Sequence, residues 1–370
     1  MSKKIINWGI IGTGKSAHNF AKALLMIETG KLAAVASRSQ SKAKSFARAF
    51  NLPLYFSSYE RLANNSEIDI VYIATPNSCH KDNAELCLNA GKNVLIEKPF
   101  TTNTIDSKIL INLAKKNNLF LMEAMWTRFI PPFNKVEQLI KSGEIGEVMS
   151  FHGTLGQVSE IDKSNNLFNG SMSGGSTLDL GVYLVFWAYY LFGSPINIQS
   201  DIYCGGTDVD LTASTILSYG QGKYAHISSS IITRFSNSGV IYRTKGAIEV
   251  YQPLYCPTAI SVIKYSNASS MVGHRSTLSK TLLKIKHIPL LQNLYINHPL
   301  LGQLIFRNTV KKTINMPING NGLQYMAEEV SSYLLNKKTI EGKVIPLSET
   351  IAIMKIIDKI KATPDIVLES

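Results

Sequence analysis

Two short stretches, far apart in the chain, carry side chains that can move protons. Glu97-Lys98-Pro99 follows the apolar run Asn93 to Ile96, which reads as a buried parallel strand. A lysine at the carboxyl end of such a strand stands where open α/β sheets bind ligands. An X-Pro bond can be cis at modest cost, and a fixed turn at Pro99 would aim Lys98 into the cleft. Glu97 is placed to orient the lysine or a cofactor. The second stretch is Gly174-Gly175-Ser176-Thr177-Leu178-Asp179-Leu180-Gly181-Val182-Tyr183. Two glycines precede a helix start, and Asp179 and Tyr183 are four apart, hence on one helical face. Alone, Tyr183 reads as a core tyrosine with a satisfied hydroxyl. Beside a lysine ammonium its phenolic pKa should be lowered, and such a phenol can exchange the proton of a carbinol. A third cluster, Glu123 to Phe129, contributes Trp126 and Phe129. Those rings could wall a sugar or diol, or simply pack at a domain junction.

The glycine loop at the start of the chain decides what these groups would act with. Residues 9–17 read G-I-I-G-T-G-K-S-A. Gly12, Gly14 and Ala17 fit the dinucleotide-binding pattern G-x-G-x-x-G/A, while Gly9, Gly14, Lys15 and Ser16 fit the phosphate loop of nucleotide hydrolases. A phosphate loop needs flexible backbone from its first glycine, because its amides wrap the phosphates. Here Ile10 and Ile11 continue the strand that begins at Ile5, so the turn falls at Gly12-Thr13-Gly14. A triphosphatase also wants an Asp ending a later strand to hold magnesium. The run Asp69 to Thr75 begins with its Asp and ends without one. The dinucleotide reading is favoured. The second strand then ends Ala36-Ser37-Arg38-Ser39, with no acid to bind a ribose 2′-hydroxyl. Arg38 can pair with a 2′-phosphate and Lys42 can add charge, so NADP is favoured over NAD.

The elements needed to position these groups are legible along the chain. Strands at about 5–11, 31–36, 69–74, 93–96 and 119–122 alternate with helices at about 15–27, 41–50, 80–89 and 105–117, the pattern of a doubly wound parallel Rossmann sheet. After Trp126 the texture changes. Pro131-Pro132 opens a short helix to Lys141. Longer strands then alternate Thr, Ser and Tyr with aliphatics, around 212–219, 225–233 and 247–251, which predicts an open, mainly antiparallel sheet in an α+β domain. An apolar helix lies at about 180–191 and a final helix at about 348–362. The expected division is residues 1–126 for the dinucleotide, 127–345 for substrate and dimerisation, and 346–370 for a C-terminal helix and tail.

Composition limits the function classes. The chain has 370 residues, 45% hydrophobic and 17% charged, with no apolar run near the roughly 20 residues of a membrane span. Met1-Ser2-Lys3-Lys4 leads straight into the first strand without the apolar region of a secretory signal. Cys79, Cys87, Cys204 and Cys256 show no metal-ligand spacing, and no metal is expected. The reducing cytoplasm is the expected compartment. The formal net charge is +12, and no acid occurs between Glu249 and Glu328 while eight Lys and Arg do. No nucleic-acid signature accompanies them, and Leu and Ile are interleaved where stacking aromatics would be wanted. The reading is a solvated face on inserted helices, or a weak contact of segment 266–319 with an anionic surface.

These pieces occur together and in order, and the chain resembles the glucose–fructose oxidoreductase / inositol dehydrogenase family of NAD(P)-dependent oxidoreductases, in its dihydrodiol dehydrogenase and NADP D-xylose dehydrogenase branch. The match covers about residues 5–260 and resumes from Gly320 to Ala362. Its carriers are Gly9 to Ala17, Ser37-Arg38, Thr75-Pro76-Asn77 with His80, Glu97-Lys98-Pro99, Met122 to Phe129 and Gly175 to Tyr183. The resemblance implies hydride transfer between a nicotinamide and the hydroxyl or carbonyl carbon of a sugar, polyol, diol or nucleotide-sugar. It implies Lys98 as the active-site lysine, Tyr183 where many members have His, and Asp179 as a helix aspartate that contacts substrate. The implied cofactor set is Gly12, Thr13, Gly14, Lys15, Ser37, Arg38, Lys42, Thr75, Pro76, Asn77, His80, Glu97, Lys98, Trp126 and Arg128. The implied substrate set is Lys98, Trp126, Phe129, Asp179 and Tyr183. A homodimer built by packing open sheets face to face is also implied. The chain departs from the branch at Asn165 to Asn169, uncharged where others often carry a basic motif, and in the long segment 266–319. An idle cofactor-binding redox sensor is the competing reading, and a sensor needs neither Lys98 nor Tyr183.

Overall fold

Strand β1 (Ile6–Ile11) buries every residue but Asn7, and it lies at the centre of a six-stranded sheet. The computed structural model describes residues 5–265, 309–336 and 344–362. The other strands of that sheet are β2 (Gly30–Ala36), β3 (Leu54–Phe56), β4 (Ile70–Ile73), β5 (Asn93–Ile96) and β6 (Leu121–Glu123), in the order β3-β2-β1-β4-β5-β6. Every pairing is parallel. The order reverses between β1 and β4, and this switch point is where the loops diverge and leave a crevice. Crossovers are made by α1 (Lys15–Leu24), α2 (Gln40–Ala49), α3 (Tyr59–Ala63), α4 (His80–Asn89) and α5 (Thr104–Lys116). The sequence pattern had not marked β3 or α3, both very short.

Trp8, Phe20 and Tyr72 anchor one face of this sheet. Trp8 is wholly buried, Phe20 stacks on Tyr72 with ring centroids 3.9 Å apart, and Trp8 Nε1 donates to Ser331 Oγ at 3.0 Å. The same apolar cluster runs on without a break to Phe133, Phe151 and Trp187 under the second sheet.

The second sheet follows α6 (Pro131–Lys141). It contains β7 (Val148–Gly156), β8 (Asn197–Tyr203), β9 (Thr212–Gly220), β10 (Lys223–Ser230), β11 (Gly239–Arg243), β12 (Gly246–Val250), β13 (Ala259–Tyr265) and β14 (Thr309–Asn315). The order is β14-β13-β12-β11-β7-β10-β9-β8, and only β7 with β10 is parallel. Side chains alternate between a buried and an open face, as the polar-apolar alternation of the sequence predicts. Helix α7 (Val182–Phe192) covers the buried face, and the burial of Val182 to Ala188 explains why it is apolar all round there.

Two later helices sew the halves together. Helix α8 (Leu323–Asn336) packs on α1, and α9 (Leu347–Lys361) packs on both α5 and α7. Asp358 Oδ2 accepts from Thr104 N at 2.9 Å, so the last helix caps an early one. The basic stretch is partly described. Lys264 pairs with Glu144 and Lys311 with Glu249, so these two charges are neutralised on the second sheet. Most of the 266–319 expectation lies outside the described residues.

Candidate active site

The crevice at the switch point is a cleft of about 800 Å³. Gly12, Thr13, Gly14, Lys15, Ser37, Arg38, Lys42, Thr75, Pro76 and Asn77 all line it, as the sequence led us to expect. Gly12 has φ +112°, and a Cβ there would sit 2.3 Å from the Ala74 carbonyl oxygen. Only glycine lets β1 turn this close to β4. A Cβ at Gly14 would meet nothing within 4 Å, so backbone there is open to a ligand. Helix α1 starts at Gly14 with no side-chain cap and no acid in its first turn. Its free N–H groups and positive end are left for an anion such as a pyrophosphate. At the far end Arg38 is exposed, and among the described residues neither Arg38 nor Lys42 has a carboxylate partner. The residues present therefore fit a nicotinamide dinucleotide.

The cleft continues into an inner pocket of about 340 Å³, and Lys15, Ser16, Gln157 and Asp179 belong to both spaces. Glu97, Lys98, Trp126, Asp179 and Tyr183 meet there. Lys98 Nζ lies 2.6 Å from the Asp179 carbonyl oxygen and 2.9 Å from Asp179 Oδ1. It stands 5.0 Å from the Tyr183 ring centroid. Trp126 Nε1 donates to Tyr183 Oη at 3.0 Å, which leaves the phenolic hydrogen free to point elsewhere. Behind them, Tyr72 Oη donates to Glu97 Oε1 at 3.0 Å, and Lys98 N donates to Glu97 Oε2. The Lys98-Pro99 bond is cis.

Electrostatics corrects one expectation. Burial pushes the Tyr183 phenol well above its ordinary pKa, and the Lys98 ammonium offsets this only in part. The expected lowering is overturned because the ring is 5% exposed and desolvation outweighs the lysine. Burial also opposes charge on Lys98. There the neighbouring Asp179 carboxylate and the other acidic groups of the site prevail, and its pKa is raised. Lys98 is held as an ammonium and Tyr183 as a neutral phenol.

Comparison with known proteins decides what this arrangement belongs to. Residues 6–125 match the family described as an oxidoreductase family with an NAD-binding Rossmann fold, and residues 133–249 match the GFO/IDH/MocA C-terminal domain. Trans-1,2-dihydrobenzene-1,2-diol dehydrogenase of Xenopus tropicalis is 32% identical over 304 residues, 77% of this chain and 92% of that one. The chain belongs to this oxidoreductase family. The Homo sapiens protein of the same name is 29% identical over 96% of each chain. In fold, the oxidoreductase is similar to a 3-ketoreductase from Actinomadura kijaniata solved with NADP and TDP-benzene. That match has TM-score 0.76 and 19% identity over 97% of each chain. An aldose-aldose oxidoreductase from Caulobacter crescentus, complexed with glycerol, matches with TM-score 0.76 and 20% identity over 97% of each chain.

Three residues of the expected site lie elsewhere in the oxidoreductase. Arg128 turns to Glu349 of α9 at 3.3 Å and lies 4.9 Å over the Tyr190 ring, because a half-buried guanidinium needs a carboxylate and finds one there. Phe129 is 7% exposed within the apolar core, where its ring gains more than at a wet pocket wall. His80 is 1% exposed and hydrogen-bonded to backbone carbonyls behind the cleft. Other residues were missed. Asp210 accepts from Ser176 Oγ, Thr177 N and Thr177 Oγ1 at 2.6–2.8 Å, and so fixes the turn 177–181 that presents Asp179. Leu155, Gln157, Asn237 and Tyr255 line the inner pocket from the second sheet and its loops. An Asp shortly before a strand carries no local signal, and alternation cannot say which Gln or Tyr reaches a pocket. Among the described residues, no group of three or more His, Cys, Asp and Glu converges as metal ligands, and no helix is long and apolar enough to cross a membrane.

Glu123, at the end of β6, supports the Lys98 turn. Its Oε1 accepts from Phe100 N at 3.0 Å, while its Oε2 is buried without a hydrogen bond. Burial raises its pKa to about 7. A carboxyl whose folded pKa lies above its unfolded value favours folding fully at pH below the unfolded value, and that contribution is lost as pH rises through about 7. Glu123→Gln should therefore be on the order of 3 kcal/mol more stable than the parent near pH 8, with little difference near pH 5. Thermal melts at both pH values check this, and an equal difference at the two would refute it.

Proposed function

We propose that the protein is an NADP-dependent dehydrogenase or reductase acting on a CH–OH or carbonyl carbon of a vicinal diol or sugar, with Lys98 and Tyr183 as its catalytic pair. The observation that carries this reading is the meeting of a mostly buried ammonium and a buried phenol in a pocket continuous with the dinucleotide cleft. The names of the relatives, diol dehydrogenases among the similar sequences, support the substrate class. Arg38 and Lys42 support the choice of NADP.

The bound nicotinamide supplies the hydride acceptor for oxidation and the donor for reduction. Tyr183 handles the substrate oxygen. In its neutral form it donates a proton to a carbonyl oxygen as that oxygen becomes an alkoxide. In the reverse direction it must first release its own proton to solvent, and the phenolate, favoured by the adjacent Lys98 ammonium, then takes up the substrate hydroxyl proton. Trp126 holds the phenolic oxygen in place throughout. Asp179 keeps Lys98 charged and fixes its reach through two contacts. Tyr255 and Leu155 supply apolar wall against one side of a small polyol, while Gln157 and Asn237 supply hydrogen-bonding groups.

We further propose a homodimer formed by the open face of the second sheet. Ile216, His226 and His152 stand in register across that face, flanked by Tyr224 and Tyr242, and all five are exposed in one chain. A run of half-exposed aromatic and aliphatic side chains on one face suits a self-complementary contact. Sedimentation velocity should give about twice the 40.8 kDa chain mass, and a species of one chain mass at micromolar concentration would overturn the dimer.

Turnover of trans-1,2-dihydrobenzene-1,2-diol and an aldose panel with NADP tests the reaction. Tyr183→Phe and Lys98→Met should each lower kcat by about 10²–10⁴, the usual worth of a positioned proton-transfer group. Diol oxidation by the parent should rise toward alkaline pH, because the phenol must ionise, and Lys98→Met should move that rise to still higher pH. Full turnover in either variant removes the pair from the mechanism. For the cofactor, fluorescence titration should show NADPH binding tighter than NADH, with Arg38→Glu reversing the preference by about tenfold or more. An unchanged ratio in Arg38→Glu would show that Arg38 does not read the 2′-phosphate.

A further inference from the structure

His80 is left unused by the reaction as described, yet it is buried beside the reacting groups. It begins α4, is 1% exposed, and each of its ring nitrogens faces a backbone carbonyl. Nδ1 is 2.8 Å from the Pro99 oxygen and Nε2 is 3.0 Å from the Thr75 oxygen. Pro99 belongs to the turn that carries Lys98. Thr75 lies two residues past β4, at the floor of the dinucleotide cleft. One imidazole thus stands between the loop that bounds the cofactor space and the loop that presents the ammonium.

The Lys98 turn is held almost wholly by side chains. Lys98 N donates to Glu97, Phe100 N donates to Glu123 Oε1, and the Pro99 carbonyl faces His80. Proline has no N–H of its own to add. The backbone of the Lys98 turn therefore depends largely on these three partners, while Asp179 holds the Nζ end. Two of them are carboxylates that accept from N–H groups, and only His80 can donate to the carbonyl.

A neutral imidazole has one N–H and can satisfy one carbonyl at a time. Burial holds the ring below its ordinary pKa, and the nearby Lys98 ammonium acts in the same direction, against the two carbonyls that favour the charged form. A proton on Nδ1 serves the Pro99 carbonyl, and a proton on Nε2 serves the Thr75 carbonyl. We propose that His80 is a positioning residue which fixes Lys98 in the inner pocket by donating its Nδ1 proton to the Pro99 carbonyl. This rests on the reading of Lys98 as the catalytic amine.

Asparagine and glutamine separate the two ring nitrogens. The Asn amide nitrogen is attached one bond from Cγ, as Nδ1 is, whereas the Gln amide nitrogen is one atom further out, as Nε2 is. With trans-1,2-dihydrobenzene-1,2-diol as the probe substrate and NADP as cofactor, His80→Asn should keep kcat within about threefold of the parent. His80→Gln should lose about tenfold to a hundredfold, the effect of a small misplacement of a catalytic group. The dissociation constant for NADPH should move less than about threefold in both, since the cleft residues are untouched. Equal losses in the two variants, no loss in either, or the reverse order overturns the proposal, and a loss that follows melting temperature and NADPH affinity together marks a merely structural role. Full turnover in Lys98→Met would instead refute the reading of Lys98, independently of the histidine variants. If the parent turns over no probe or the variants fail to fold, ¹⁵N spectra of the histidine-labelled parent decide. The His80 signals are assigned by replacing the other six histidines one at a time. A protonated Nδ1 is expected, and an unprotonated Nδ1 overturns the proposal.

Discussion

A mostly buried ammonium bound to both the carbonyl and the carboxylate of Asp179 is the contact on which the rest of this structure depends. Lys98 comes from the parallel sheet and Asp179 from the turn that leads into α7 of the second half. Taking an ammonium out of water is costly unless it is paired and hydrogen-bonded. Here the pairing partner lies in the other half of the molecule, so the two halves must meet for the charge to be satisfied. The ion pair thus does two things at once. It closes the inner pocket, and it places a positive charge beside the Tyr183 ring.

The neighbouring buried groups fall into place around that charge. Glu97 receives the Lys98 amide and the Tyr72 hydroxyl, and Tyr72 in turn stacks on Phe20 of α1. The helix whose N-terminus faces the dinucleotide cleft is therefore in contact with the residues that hold the lysine. Asp210 performs the matching task on the other side, tying Ser176 and Thr177 so that the turn 177–181 offers both oxygens of Asp179 to Lys98. Neither support touches a reacting atom, yet the geometry of the pair depends on both.

Much of this was legible in the sequence because it is written locally. The glycine spacing, the absence of an acid after β2, the lysine at the end of β5 and the four-residue spacing of Asp179 and Tyr183 are each set by a few neighbouring residues, and the structure brings all of them to one cleft. What failed needed information from elsewhere in the fold. Arg128 looks like a cofactor ligand until α9 delivers Glu349, and Phe129 looks like a pocket wall until the core surrounds it. His80 sits in a recognisable motif, yet only the approach of Pro99 shows what its ring meets. The direction of the Tyr183 shift was misjudged for a related reason. A neighbouring charge can be read from sequence, whereas the depth of burial that outweighs it cannot. Side chains of the second sheet, such as Gln157 and Tyr255, depend on strand register and gave no local sign.

The placement of α9 has a consequence for how the protein is made. Its Glu349 neutralises Arg128, and its Asp358 caps α5, although both partners belong to the first third or so of the chain. Asn103 caps α5 from within the first half, but the Arg128 ion pair and the second acceptor for the start of α5, at Thr104 N, wait until translation has passed Asp358. These two contacts are thus completed by a segment synthesised more than 200 residues later.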